Sequence, residues 1–224
     1  MSSVLLQWVG KTYATPTGDI SLYQWVDMEI AQGEFVSLMW TSGIGKTTLL
    51  NMIAGLTLPS QGNILIDNVD ITTLDDHQRT RLRGEQMWFV FQQFNLLPYL
   101  TAGENIDLAI QLNGVQRRYE TKKLIDLVGI GDKLDAYPHQ LSGGEQQRVA
   151  IARAIVGETS LLLADEPTGN LDSATSKHIM ELLRDIHQNI SCTIIMITHD
   201  AQVASYADTH YTLTSAWITA NSGA

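Results

Sequence analysis

Short aliphatic and β-branched runs alternate along this chain with segments whose apolar positions recur at helical spacing. Strands buried on both faces read as continuous apolar runs, and the helices joining them read with a period near 3.6 residues. The rhythm therefore predicts an α/β fold with a mainly parallel sheet. Four runs predict strands, at Phe35–Met39, Trp88–Phe91, Leu161–Ala164 and Thr193–Thr198. The first leads into Thr41-Ser42-Gly43-Ile44-Gly45-Lys46-Thr47-Thr48, after which Leu49, Leu50 and Ile53 continue at helical spacing. Strand, glycine loop and helix follow without a break. Ahead of them, Val4 to about Ile30 predicts an antiparallel β flap that turns at Pro16-Thr17-Gly18.

Between about residues 94 and 154 the pattern turns helical, with Ala102–Leu112, Arg118–Val128 and Glu145–Ile155 as expected helices. The third opens after Leu141-Ser142-Gly143-Gly144. Ser142 suits an N-cap, because its hydroxyl accepts from backbone N–H groups that the first turn leaves unpaired. A helical subdomain is thus expected to be inserted between two sheet-forming halves of one domain spanning residues 1–224. No repeat or low-complexity linker divides the chain, and only Asn221–Ala224 reads as a loose polar tail.

The 224 residues, 44% of them hydrophobic, suffice for one α/β domain with a substantial core. A formal net charge of −10 disfavours nucleic acid as a partner, since phosphate neutralisation needs Lys and Arg, and disfavours adsorption to an anionic membrane. The single Cys192 excludes an intrachain disulfide and, beside an apolar run, reads as a buried thiol in a reducing cytoplasm. Met1–Val9 lacks the basic segment and apolar core of a signal peptide. No apolar stretch reaches the roughly 20 residues that span a bilayer. A cytoplasmic location is expected, with any membrane role passing through a partner.

A phosphate site at a strand-to-helix turn needs backbone N–H groups aimed inward, glycines that allow close approach, and a helix N-terminus. Gly43, Gly45, Lys46, Thr47 and Thr48 supply these, with Lys46 placed for the terminal phosphates and the Thr47 hydroxyl suited to Mg²⁺. A Gly-Lys-Thr-Thr tetrapeptide alone would be a chance turn; the strand before it and the helix after it argue otherwise. The pattern G-x-x-x-x-G-K-S/T has its first glycine at Trp40 here. A glycine-only backbone angle there would cost about 1–3 kcal/mol in strain. Alternatively the strand ends one residue later and no such angle is needed.

Leu161-Leu162-Leu163-Ala164-Asp165-Glu166 is an apolar run that ends in two carboxylates. By itself it would be a strand running into a solvated turn. Beside a phosphate loop, at the C-terminal edge of a parallel sheet, it is the acid such sites require. Asp165 is placed to hold Mg²⁺, and Glu166 to polarise an attacking water.

Leu141-Ser142-Gly143-Gly144-Glu145-Gln146-Gln147-Arg148 resembles the signature motif of ABC ATPases, and the resemblance extends from Leu6 to about Ile218. It implies a P-loop NTPase core, an ATPase activity with ATP and Mg²⁺, and a role for each matching position. Tyr13 matches the aromatic that stacks on adenine, and Ser42 belongs to the phosphate loop. Gln92 matches the glutamine that senses Mg²⁺ and the attacking water. Asp172 matches the loop that crosses the dimer interface, and His199 the switch histidine at the γ-phosphate. Ser142, Gly143 and Gly144 would face the γ-phosphate bound by the opposite protomer. Alone, Tyr13 would be a surface residue and His199 a structural histidine.

The resemblance further implies a head-to-tail homodimer, or a pair with another ABC subunit, that sandwiches two ATP molecules. It would drive a separate integral membrane permease from the inner face of the cell membrane. Phe94-Asn95-Leu96-Leu97-Pro98 and Gly169-Asn170-Leu171-Asp172 are most similar to the subgroup serving lipoprotein release, macrolide-type export and cell division. Departures are Trp40, Trp88 before Phe-Val-Phe-Gln, and Ser215-Ala216 where an Asp-Gly hairpin turn is usual. The two tryptophans leave a second expectation open, a nucleotide-sensing ABC subunit with weakened catalysis. ABC proteins of translation or chromosome maintenance resemble two fused cassettes or a cassette split by a coiled coil, and this chain shows neither. No Asn-Lys-x-Asp segment supports a GTPase.

Overall fold

The computed structural model describes residues 1–16, 18–40, 45–113, 121–157, 160–190, 192–213 and 218–221. Ser42, Gly43, Arg118 and the Ser215-Ala216 turn lie outside them, as does the side chain of Trp40. Six strands form the central sheet: β3 (Phe35–Trp40), β6 (Met87–Phe91), β7 (Leu161–Asp165), β8 (Thr193–Thr198), β9 (Thr209–Leu213) and β10 (Ile218–Asn221), in the order β10-β9-β3-β8-β7-β6. All neighbours are parallel except β10, which returns antiparallel on β9. The four expected strands are its core, extended by one residue where the observed bounds differ.

Trp40 resolves in favour of the longer strand. It pairs with Leu213 in the parallel ladder and is not among the residues with positive φ. No glycine-only angle is needed there, so the strain that motivated a weakened site is absent from the backbone. Trp88, also expected near the site, stands opposite Leu162 inside β6 and packs on the core.

Alternation along the strands divides the interior into two cores. Leu162, Ala164, Ile194 and Met196 face one, and Leu161, Leu163, Ile195 and Ile197 the other. The first core is covered by α3 (Ala102–Asn113), α4 (Thr121–Val128), α5 (Gly143–Ile155) and α6 (Ser173–Ile190), which contribute Ile106, Leu124, Ile151 and Leu183. The second is covered by α1 (Lys46–Ile53) and an antiparallel sheet of order β2-β1-β4-β5. That sheet comprises β1 (Val4–Thr15), β2 (Gly18–Ile30), β4 (Gln61–Ile66) and the short β5 (Val69–Asp70). The expected flap is therefore half of a four-stranded sheet. The remaining helices are the exposed α2 (Asp76–Gln86) and the short α7 (Ala201–Ala204).

The β1–β2 ladder is broken by register shifts on both sides of Val9. Trp8 and Trp25, at φ 53° and 60°, stand edge to face there with ring centroids 6.2 Å apart. On the other side of β1, Gly62 fills the matching gap at φ 78°, where a Cβ would lie 2.3 Å from the Trp8 carbonyl oxygen. Backbone cannot yield as a side-chain tip does. Gly62→Ala is expected to cost about 3 kcal/mol, combining left-handed strain with overlap, and to lower the melting temperature by roughly 6–12 °C. A calorimetric scan that finds less than 2 °C would show that the bulge relaxes freely.

Candidate functional site

The loops after β3, β6, β7 and β8 leave the same edge of the parallel sheet, and polar groups stand at each. After β3, Gly45 takes φ 103° and ψ −9°, a left-handed turn that starts α1. The helix then runs Lys46, Thr47, Thr48, with Leu49, Leu50, Met52 and Ile53 buried beneath. A cleft of about 260 Å³ is lined by Gly45, Lys46, Thr47, Thr48, Gln92, Asp165 and Glu166. Segments distant in sequence are thus gathered by sheet order alone: Gln92 follows β6, and Asp165-Glu166 closes β7.

Two pairs organise the cleft. The Thr47 hydroxyl donates to Asp165 Oδ2 at 2.8 Å, and Lys46 Nζ meets Glu166 Oε1 at 2.8 Å. Glu166 sits at φ 48° with its N–H on the Ile197 carbonyl at 3.0 Å, so the chain turns sharply just past the strand. Its other carboxylate oxygen lies 2.7 Å from His199 Nδ1. Burial pushes the Glu166 carboxyl upward, but the Lys46 and His199 bonds outweigh it and hold it below the ordinary range. An ionised carboxylate only accepts, so His199 carries its proton on Nδ1 here. Asp165 goes the other way: burial raises it, the Thr47 hydroxyl offsets part, and neighbouring Glu166 adds to the rise. A half-buried carboxylate beside a hydroxyl and the Gln92 amide is a hard oxygen set. It fits Mg²⁺, which takes one or two protein oxygens and completes its shell with phosphate and water.

A second cavity, of about 460 Å³, is lined by residues of α6 and α7 and by Glu166 and His199, of which Glu166 also lines the cleft. No phosphate-loop residue lines it.

The remaining expected residues stand outside the cleft. Tyr13 is 41% exposed on β1, with Lys11 Nζ 4.8 Å from the centre of its ring. Ser142 caps α5 in a reciprocal box, its hydroxyl accepting from the Glu145 N–H at 3.3 Å and its N–H donating to Glu145 Oε2 at 2.7 Å. Gly143 and Gly144 lie against the next loop: a Cβ on Gly144 would come 2.5 Å from Thr175 Cγ2, and one on Gly143 3.2 Å from Leu171 Cδ2. Asp172 opens α6 by accepting from the Ala174 and Thr175 N–H groups, each at 3.0 Å.

Two supporting contacts have no counterpart in the sequence reading. Gln92 and Asn170 exchange bonds, Asn170 Nδ2 to the Gln92 carbonyl at 2.9 Å and Gln92 Nε2 to Asn170 Oδ1 at 3.1 Å. Gly169 permits it, since a Cβ there would lie 2.8 Å from Gln92 Nε2. Gln147, fully buried on α5, donates to the Pro167 carbonyl at 2.6 Å and so ties that helix to the turn holding Glu166. The run of amides in Gln146-Gln147 was the available signal, but its direction into the core was not.

A strand, a left-handed glycine, a lysine at a helix N-terminus and an acid closing β7, one strand beyond the neighbour of β3, together define a P-loop nucleoside triphosphatase. A profile of the ABC transporter family matches residues 23–169, and the chain belongs to this family. It is 41% identical over 212 residues to the ABC transporter ATP-binding protein MJ0796 of Methanocaldococcus jannaschii, covering 92% of this chain and 90% of that one. It is 42% identical over 212 residues to the macrolide export ATP-binding/permease protein MacB of Syntrophobacter fumaroxidans, of whose length it spans only 30%. Among solved structures, the dimeric MJ0796 cassette matches with a TM-score of 0.85 and 38% identity, covering 96% of both chains. The dimeric post-hydrolysis state of that cassette with ADP and Pi matches at 0.87 and 37%, covering 98% of both. The chain carries an ABC transporter ATP-binding cassette, an ATPase domain that works on ATP with Mg²⁺.

Proposed function

We propose that two copies of this chain close head to tail on two ATP molecules and that their closing and opening drives a membrane permease of the export or lipoprotein-extraction type. The observation that carries the reading is the division of the polar groups. Lys46, Thr47, Gln92, Asp165 and Glu166 line one cleft, whereas Ser142, Gly143 and Gly144 line no part of it. A capped helix start with an exposed Ser142 and two half-buried glycines suits an anion brought by another copy. The MJ0796 cassettes supporting this arrangement are dimers, one of them with ADP and Pi. The permease rests on the family and on the macrolide export relative. No helix among the described residues is long and apolar enough to cross a membrane. The chain would act at the cytoplasmic face through that permease.

In this reading Lys46 and the α1 N-terminus hold the β- and γ-phosphates. Thr47, Asp165 and Gln92 would hold Mg²⁺, which would supply positive charge to offset the phosphate oxygens. Glu166 takes the proton of the attacking water as the water oxygen bonds to Pγ and the bond from Pγ to the ADP oxygen breaks. His199 fixes the carboxylate and reaches the γ-phosphate, and the partner's Ser142–Gly144 completes the charge stabilisation. Tyr13 stacks on adenine.

If neither half-site is complete alone, the catalyst is the dimer. ATPase specific activity of the purified chain, measured at saturating Mg·ATP, is expected to rise in proportion to protein concentration while monomer predominates, and then to level off. A specific activity constant over a hundredfold dilution, with monomer throughout by light scattering, would refute the shared site.

A further inference from the structure

We propose that Tyr23 is a positioning residue for the phosphate loop, its hydroxyl fixing the Gly45–Lys46 peptide plane so that the Lys46 N–H points at the bound triphosphate. The inference rests on the nucleotide reading of the Lys46 cleft.

Tyr23 lies on β2, in the sheet that covers α1, and is only 3% exposed. Its hydroxyl donates to the Gly45 carbonyl oxygen. The same oxygen accepts from the Leu49 N–H at 3.2 Å, the first bond of α1. A carbonyl oxygen has two acceptor sites, and here both are engaged. Burial raises the pKa of the Tyr23 phenol, so the group stays a neutral O–H donor.

The consequence follows from peptide geometry. The Gly45–Lys46 peptide is planar and trans, with its C=O and N–H pointing in opposite directions. Pinning the oxygen toward the helix body therefore aims the Lys46 N–H out of the helix start, where a phosphate binds. Gly45 is where such a pin matters, since a glycine at φ 103° has a freely varying backbone and no side-chain cap holds it.

The tether also joins two ends of a nucleotide site. Tyr23 is paired with Lys11, two residues from Tyr13 on the same strand. Base platform and phosphate cradle are thus bridged by one hydroxyl, although they belong to different sheets.

Tyr23→Phe deletes that oxygen and keeps the buried ring. Losing one net hydrogen bond that preorganises binding raises the Kd of a fluorescent ATP analogue, and the KM for ATP, by about three- to tenfold. The kcat is expected to stay within about twofold, because Glu166 and His199 are untouched. A partly unfolded population would behave differently, lowering apparent kcat at unchanged KM; that pattern, or unchanged Kd and KM, overturns the assignment. Failure of the unsubstituted chain to bind the analogue would instead overturn the nucleotide reading itself.

Discussion

Replacing Glu166 with glutamine is expected to slow ATP turnover by about 10²–10⁴-fold, the range that a positioned proton acceptor supplies. The substitution keeps the shape and one acceptor oxygen, where Lys46 and His199 now stand 2.8 and 2.7 Å from separate carboxylate oxygens, but it removes the basicity. Binding should survive. Because the γ-phosphate is then hardly removed, the proposed dimer should accumulate at millimolar Mg·ATP and sediment or scatter as twice the monomer mass. Turnover within tenfold of the unsubstituted chain would place the proton acceptor elsewhere. A variant that is inactive yet monomeric would separate chemistry from assembly and count against the sandwich.

Lys46→Ala is expected to act one step earlier, on affinity. A charge-assisted bond to phosphate contributes about 1.5–3 kcal/mol, so the Kd for ATP should rise by roughly 10–150-fold. A second effect follows from the ion pair. Lys46 is what chiefly offsets the burial of Glu166, with His199 as the remaining partner. Without it, the carboxyl becomes harder to ionise, and the acid limb of the residual rate should move to higher pH. Titration of a fluorescent analogue tests the first effect, and the pH dependence of kcat/KM tests the second. Unchanged affinity would remove Lys46 from the phosphate site.

The pair also makes the base conditional. In the proposed reading, an arriving triphosphate would compete with Glu166 for Lys46 and free the carboxylate proposed to act on the attacking water. Activation of the base and occupancy of the site are then one event.

The phosphate loop and the acidic strand were legible in the sequence because their chemistry needs contiguous residues. Lys46 and Thr47 must follow a glycine turn, and Asp165 and Glu166 must close an apolar strand. Thr193–Thr198 was legible to the residue, since every one of its positions is buried and the run has no polar break to blur its ends. Other parts carry less local information. Helix α2 buries none of its residues, so it shows no apolar period, and only the Asp75–Gln78 capping box marks its start. Strand β4 joins β1 across some fifty to sixty residues of chain, a pairing that no local pattern encodes. Trp40 looked like a defect because the motif places glycine there; the ladder partner Leu213, which extends the strand, is far away in sequence. Tyr23 and Asn170 escaped for the same reason, each acting on backbone brought near by folding.

The tryptophan-marked bulges of β1 and β2 bear on how copies of the chain meet. β2 is the outer strand of its sheet, with one row of backbone groups unmatched, the usual template for unwanted strand addition. Left-handed kinks at Trp8 and Trp25 spoil the flat, regular spacing an added strand would need. At the far border of that sheet, β5 offers only two residues. Recruitment of this sheet into extended β stacks is thereby opposed at both of its margins.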